Sequence, residues 1–264
     1  MYLFNFDNPD SEKNYFVTNW HLDVSCPLHA HYCMETVYVR DGSLIMQVGD
    51  SKRVIHAGEC TFIMPFEPHS FETPKNSHCL VIEFSPEIVP DFYGVAKDKT
   101  LAIGVCTLSP SVKKMCDDML PLSIPSGEAI EAKAVVYPLC AEIMKKCGFK
   151  NQKIQYGGTV FTEAIRFIMK NFQSGDVSLS AAARALGVHH VYLSRAFREK
   201  CQMTYTRYVN SVRASYARLL LSKGEKSISQ IALDSGFGSI RNFNREFKRV
   251  YGITPNECLG QIIK

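Results

Sequence analysis

The chain has 264 residues, 46% hydrophobic and 21% charged, a composition ordinary for a soluble globular protein of one or two domains, each able to bury a core. The net charge of +4 conceals a division: residues 159–264 hold 16 Lys and Arg against 7 Asp and Glu, whereas residues 1–158 hold 14 against 19. Such asymmetry fits a polyanion-binding half joined to a half with another task. Ten cysteines occur without a CxxC or zinc-finger spacing. The acids Asp7, Asp10 and Glu12 argue against a signal peptide, and the longest stretch free of charged residues, Thr100–Val112, is too short to span a bilayer. A cytoplasmic protein with reduced thiols and no membrane partner is the default expectation.

From about Val24 to Ser85 the pattern is β. TVYVR (36–40), SLIMQV (43–48), SKRVIH (51–56), ECTFIM (59–64) and HCLVIEF (78–84) are short β-branched or aromatic runs. Asp41-Gly42, Gly49-Asp50, Ala57-Gly58 and Pro65 with Pro68 separate them, which indicates a sandwich or barrel. Cys33, Cys60 and Cys79 fall in these strands and read as small buried hydrophobes. If the strand through HAHYCME is regular, alternation puts His29, His31, Cys33 and Glu35 on one face.

Between Ser109 and Phe149 the signal turns helical. Ser109-Pro110 is a helix start, and PLSIPSG (121–127) breaks the run. In the next helix Val135, Leu139 and Ile143, near Ala132 and Val136, form an apolar stripe, and Pro138 should kink it. A core face and a dimer seam would look alike here. KNQKIQYGG (150–158) is polar and ends in Gly-Gly, the mark of a linker. The division is therefore 1–150 (barrel about 15–90, helices about 109–149), a linker at 151–158, and an all-helical 159–264.

The C-terminal part repeats itself. Leu193–Arg198 (LSRAFR) aligns with Phe243–Lys248 (FNREFK), and Ser180 with Leu186-Gly187-Val188 aligns with Ser229 and Ser235-Gly236-Phe237. Each copy reads as short helix, Gly turn, second helix: a helix-turn-helix. Ser239 is a good N-cap for the later second helix. Leu193, Ala196 and Phe197, and likewise Phe243, Phe247 and Val250, make an apolar face. The opposite face carries His190, Ser194, Arg195 and Arg198 in one copy and Arg241, Asn244, Arg245 and Lys248 in the other. Arg suits guanine and Asn suits adenine. Tyr205–Ser222 reads as a connecting helix about 27 Å long at roughly 1.5 Å per residue, able to hold the two units about one DNA turn, near 34 Å, apart.

GFGSIRNFNREFKRVYGITPNECL (236–259), LGVHHVYLSRAFREKCQMTYTRYV (186–209) and RASYARLLL (213–221) resemble the signature of the AraC/XylS family of bacterial transcription regulators, over roughly residues 160–260. The resemblance implies sequence-specific binding to double-stranded DNA, with base-facing positions His190, Val191, Ser194 and Arg195 and then Ile240, Arg241, Asn244 and Arg245. Val191 and Ile240 can offer only apolar contacts, as to thymine methyls. It implies an activator that contacts RNA polymerase, and a homodimer is plausible. His189 stands where the family has a small N-cap, an expected weakness at the first recognition helix.

His29-x-His31-x-x-x-Glu35 with Gly42, followed by Gly58, Pro65 and His69, resembles a cupin barrel, the usual effector domain of that family. Glu67 and Thr73 depart from the second cupin motif, which has Gly and Asn there. The expected fold class is thus α+β with two domains: a cupin-like barrel with appended helices, then two helix-turn-helix units joined by a helix. The resemblance gives the barrel two uses. One is a small-molecule effector pocket holding His29, His31, Glu35 and His69; Tyr38, Met46, Phe62, Met64 and Phe71 read equally as its lining or as core. The other is a divalent metal on His29, His31, Glu35 and His69, as in enzyme-type cupins. No Ser/His/Asp set, phosphate loop or dinucleotide fingerprint is present, so a non-enzyme regulator is expected. A metal-dependent cupin enzyme fused to a DNA-binding domain is the alternative, and an architectural DNA binder without effector is a third reading.

Overall fold

The computed structural model describes residues 15–31, 33–48, 51–97, 99–124, 130–151, 160–174 and 176–262. They fall into two compact units, divided between Thr159 and Val160. The linker expected at 151–158 lies outside the described residues except for Asn151, which is paired in a strand.

In the first unit the chain runs through β1 (Phe16–Leu22), β2 (Ser25–His29), β3 (Met34–Asp41), β4 (Ser43–Val48), β5 (Ser51–His56), β6 (Glu59–Ile63), β7 (His69–Glu72) and β8 (His78–Phe84). It continues with α1 (Pro90–Ala96), β9 (Lys99–Leu101), β10 (Cys106–Thr107), α2 (Pro110–Asp117), β11 (Leu122–Ile124), α3 (Ile130–Lys146) and β12 (Phe149–Asn151). A six-stranded sheet has the order β10-β6-β3-β8-β1-β11, a four-stranded sheet the order β2-β7-β4-β5, and β12 pairs with β9; all pairings are antiparallel.

Strand alternation sends the two faces of the six-stranded sheet to different tasks. Met34 and Tyr38 of β3, Cys60 and Phe62 of β6, and Leu80, Ile82 and Phe84 of β8 pack with Phe92, Val112, Cys116, Ala132, Val136, Leu139 and Ile143 from the three helices. The stripe on α3 is therefore a core face. Truncating Ile143 there would open a cavity costing about 2–5 kcal/mol. The helix continues through Pro138 as one element. Trp20 Nε1 donates to the Met119 carbonyl at 2.8 Å and Tyr38 Oη donates to Asp117 Oδ1 at 2.8 Å, tying the end of α2 to the sheet.

The other face of β3 carries Glu35, Val37 and Val39. Glu35 reaches His69 of the four-stranded sheet, so this face looks into the space between the sheets. Among the described residues no helix is long and apolar enough to cross a membrane.

The second unit is all-helical: α4 (Val160–Asn171), α5 (Leu179–Ala185), α6 (His190–Cys201), α7 (Tyr205–Lys223), α8 (Ile228–Asp234), α9 (Ile240–Tyr251) and α10 (Pro255–Ile262). Phe197 of α6 packs edge-on against Phe161, Tyr205 and Tyr208 at 5.1, 5.1 and 5.5 Å. Phe243 and Phe247 of α9 pack with Ala214, Ala217 and Leu221 of α7 and with Ile231 of α8. The long helix α7 thus belongs to both helix-turn-helix cores. Gly187 and Gly236 end the first helix of each unit with φ +65° and +79°. At Gly236 a Cβ would also run into the Phe172 carbonyl oxygen.

Candidate nucleic-acid interface and a buried histidine cluster

The repeat is visible in the caps. Ser178 accepts from Ala181 N–H and Ser227 from Gln230 N–H at the first helix of each unit, two residues before the serines that the sequence alignment paired. Ser239 accepts from Asn242 N–H at 3.2 Å to start α9, a bond worth about 1 kcal/mol. Where a weak cap was expected, His189 Nδ1 accepts from Val191 N–H at 3.3 Å at the start of α6. An imidazole nitrogen stands where a hydroxyl oxygen caps α9.

On α6, His190, Val191, Arg195 and Arg198 are exposed and Ser194 is half-buried; on α9, Ile240, Arg241, Asn244, Arg245 and Lys248 are exposed. Each helix therefore presents its polar face to solvent. Val191 and Ile240 are 59% and 45% exposed, so neither packs inward. Tyr192, 58% exposed beside Val191, is a further surface aromatic that the sequence reading did not single out. The two central arginines are held by carboxylates of their own helices. Arg195 Nε lies 2.6 Å from Glu199 Oε1, and Arg245 Nε lies 3.1 Å from Glu246 Oε1 while its Nη2 donates to Asn242 Oδ1 at 2.6 Å. Glu246 also takes Arg249 at 2.8 Å. Burial raises Glu246, but the Arg245 and Arg249 bonds outweigh it and hold the carboxyl below the ordinary range.

In the first unit the structure brings together His29, His31, Glu35 and His69. One ligand atom from each lies within 4.8 Å of the others, and three of the four residues are fully buried. They do not share a strand as expected. His29 ends β2, His31 lies in the connection, and Glu35 stands in β3, so the chain crosses between the sheets here; β7 supplies His69 beside His29. Convergence comes from that crossing rather than from alternation. Of the other predicted pocket residues, Met46 is buried in register with Phe71 in the four-stranded sheet. Tyr38, Phe62 and Met64 belong to the core beneath the helices. That is a correction: Tyr38 and Phe62 occupy the sheet face opposite to Glu35, because their registers have the other parity.

The hydrogen bonds fix the tautomers. His69 Nδ1 donates to the Glu67 carbonyl at 2.8 Å and His31 Nδ1 to the Cys33 carbonyl at 3.0 Å. A carbonyl can only accept, so in each neutral ring Nε2 is a bare lone pair. Both Nε2 atoms nevertheless face Glu35 Oε2, at 3.1 Å from His31 and 3.5 Å from His69. His69 Nε2 and Glu35 Oε1 have no hydrogen-bond partner. Burial works against a charge on His69, but the Glu35 carboxylate raises it, so either a proton on His69 Nε2 or a divalent ion would satisfy the facing atoms. The backbone-anchored imidazole is the arrangement that metal-ligating histidines use, and three imidazoles with one carboxylate suit a divalent transition metal. Burial works against the Glu35 charge, but the His69 charge and the His31 bond hold its carboxyl well below the usual range.

Two further carboxylates attend the cluster. Glu67, the departure from the cupin motif, is buried; it accepts from Met64 N–H at 3.2 Å and Thr100 Oγ1 at 2.9 Å, fixing the loop whose carbonyl orients His69. Glu83 pairs across the sheet with Glu35 and so shares its face. Burial pushes its carboxyl up to about 7, against the attraction of His31 and with the repulsion of Glu35. The sequence reading missed it. Its only signal was an acid at an inward position of HCLVIEF.

Residues 182–261 match the helix-turn-helix domain family and residues 19–85 the cupin domain family. An HTH-type transcriptional regulator of Staphylococcus aureus is 33% identical over 85 residues, 32% of this chain and 11% of that protein. The melibiose operon regulatory protein of Escherichia coli K12 is 27% identical over 108 residues, 41% of this chain and 35% of that protein. The chain thus spans only a minor part of these relatives' length. ToxT of Vibrio cholerae has the same fold, with a TM-score of 0.65 over 95% of this chain and all of that one at 13% identity. A second ToxT structure, with unsaturated fatty acid bound, matches with a TM-score of 0.65 over 94% of this chain and 96% of that one at 14% identity. The chain thus matches the cupin domain family in its first unit and the helix-turn-helix domain family in its second.

Proposed function

We propose that this chain is a DNA-binding transcription regulator whose barrel senses a small chemical signal. The observation that carries the reading is the pair of capped helices α6 and α9, each presenting arginine and short polar side chains outward above an apolar core. Regulators with this helix-turn-helix region are among its relatives. Arg195, Arg241 and Arg245 supply guanine contacts, Asn244 an adenine contact, and Arg198 and Lys248 phosphate contacts. Selecting bound sequences from a random duplex library tests this: one extended site should emerge, with two conserved segments about a helical turn apart. Recovery of random sequence would refute it.

For the barrel, the converging lone pairs favour a divalent transition metal held by His29, His31, Glu35 and His69. Metal analysis of protein prepared without chelator should find iron, manganese, nickel or zinc near one per chain, and His31→Ala should lose it. A small organic effector between the sheets is the second reading. It is favoured by the fatty acid bound to a protein of the same fold, and it predicts metal-free protein whose DNA affinity shifts with a carboxylic-acid ligand. Activation through RNA polymerase belongs to the same proposal and is tested by a promoter fusion that rises, rather than falls, when the chain is expressed.

A homodimer fits an exposed strip on α3. Ile130, Tyr137 and Met144 recur every seven residues at 80%, 38% and 44% exposure, with exposed Ala134 and Ala141 between them. That is the 4-3 spacing of a helix-on-helix seam. Tyr137→Glu should convert a dimer into a monomer in sedimentation; an unchanged mass would remove this element of the reading.

A further inference from the structure

The two helix-turn-helix units share α7, but α4 touches both as well. Near its start Phe161 packs edge-on against Phe197 of α6, with 5.1 Å between ring centres. Just past its end the buried Phe172 packs edge-on against Tyr216 of α7 at 5.2 Å. Tyr216 in turn lies against the core that holds Phe243 and Phe247. The next residue, Gln173, donates from Nε2 to the carbonyl of Asp234, the last residue of α8, at 3.2 Å. The Phe172 carbonyl and the Gln173 Cα press so close to Gly236 that no Cβ fits there. α4 therefore spans from the first recognition helix to the turn ahead of the second.

Arg213, near the middle of α7, locks this second strut. Its Nε donates to the Phe172 carbonyl at 2.7 Å and its Nη2 to the Ser174 carbonyl at 3.0 Å. Those carbonyls lie at the C-terminal end of α4, where no further turn of helix supplies donors and the helix dipole favours a cation. A guanidinium fork can hold two carbonyls at once, whereas a lysine ammonium is a point charge on a flexible stem. Arg213 falls between Tyr208, which packs in the first core, and Ala214, Ala217 and Leu221, which pack in the second. A single helix between two cores leaves their relative twist to the stiffness of that helix. With α4 alongside and pinned by Arg213, the two units are joined through two elements.

We infer that Arg213, with the α4 end that it grips, is a positioning residue that sets the separation and twist of α6 and α9, and so the spacing of the two DNA segments that the chain accepts. The inference rests on the DNA-binding reading given above. Arg213 touches no base; it acts through the recognition helices. One added base pair moves the second segment about 3.4 Å along the duplex and turns it by about 35°. A frame with two struts resists that shift, whereas one held by α7 alone follows it by twisting.

The test is binding of the intact chain, by fluorescence anisotropy, to its selected site and to versions with one base pair inserted or removed between the two segments. The wild type should lose affinity by about tenfold or more for either change, the scale of a mismatched base pair. Arg213→Met should bind the original spacing more weakly and lose only severalfold on respacing, with base preferences inside each segment unchanged. Arg213→Lys should fall between the two. Gln173→Ala, at an exposed position, should relax the spacing in the same direction and decides the matter if an Arg213 variant fails to fold. An equal spacing penalty in wild type and folded variants would overturn the inference, as would a wild type indifferent to spacing. Recovery of no preferred site at all would instead remove the DNA-binding reading on which it stands.

Discussion

Arg195 and Arg245 both touch a carboxylate of their own helix, yet the two pairs should behave differently. The Arg195–Glu199 pair is open to water, with side chains 75% and 55% exposed, and such pairs are worth about 0.2–1 kcal/mol. Breaking it to release Arg195 for a base costs little. Glu199→Gln should leave stability unchanged within about 0.5 kcal/mol and tighten DNA binding severalfold, read by fluorescence anisotropy; weaker binding would contradict the assignment. Glu246 instead is 7% exposed and holds Arg245 and Arg249 at once. Its loss should cost about 1.5–3 kcal/mol in denaturant unfolding. Because its folded pKa lies below the unfolded one, this contribution is present above the ordinary carboxylate range and disappears as pH falls through the folded value. The gap between wild type and Glu246→Gln should therefore close on acidification.

At the scale of the element, the two Gly turns make a matched experiment. Both glycines have positive φ, which costs a residue with a Cβ about 1–2 kcal/mol. Gly187 has open space around it, whereas a Cβ at Gly236 meets the Phe172 carbonyl and the Arg213 side chain. Gly187→Ala should lose only the conformational term. Gly236→Ala should lose clearly more, and equal thermal shifts for the two variants would show that the second turn can relax. The helix-turn-helix units were legible in sequence because everything that defines them is local: Ser caps, Gly turns, and Phe197 or Phe247 at helical spacing. The barrel was less so. His29, His31, Glu35 and His69 were recognisable as residue types, but the alternation argument assumed one strand where the chain crosses between two sheets. Pocket and core stayed open for Tyr38 and Phe62, although alternation within β3 already sets Tyr38 opposite to Glu35; the side of Phe62 follows only from its pairing with Thr36. Glu83 carried only the signal of an acid at an inward position of HCLVIEF, since tertiary pairing alone brings it beside Glu35.

For the whole molecule, charge and chemistry divide between the units. The basic unit carries the outward arginines of α6 and α9, while the acidic unit gathers His29, His31, Glu35 and His69. If several cations neutralise phosphates, DNA affinity should fall by orders of magnitude between about 50 and 200 mM salt, with a log–log slope that flattens by about one when Lys248→Ala removes one contact. An effect of the barrel on that affinity is bounded by the differential affinity of its ligand for the bound and free states. The most direct test of the central claim, that α6 and α9 read two successive segments of one duplex, is a binding profile over all single-base variants of the selected site for Arg195→Ala and Arg245→Ala. Each variant should lose about 1–3 kcal/mol and relax specificity in its own segment only, the two segments lying about one turn apart. Uniform weakening at every position, or both variants relaxing the same bases, would contradict it.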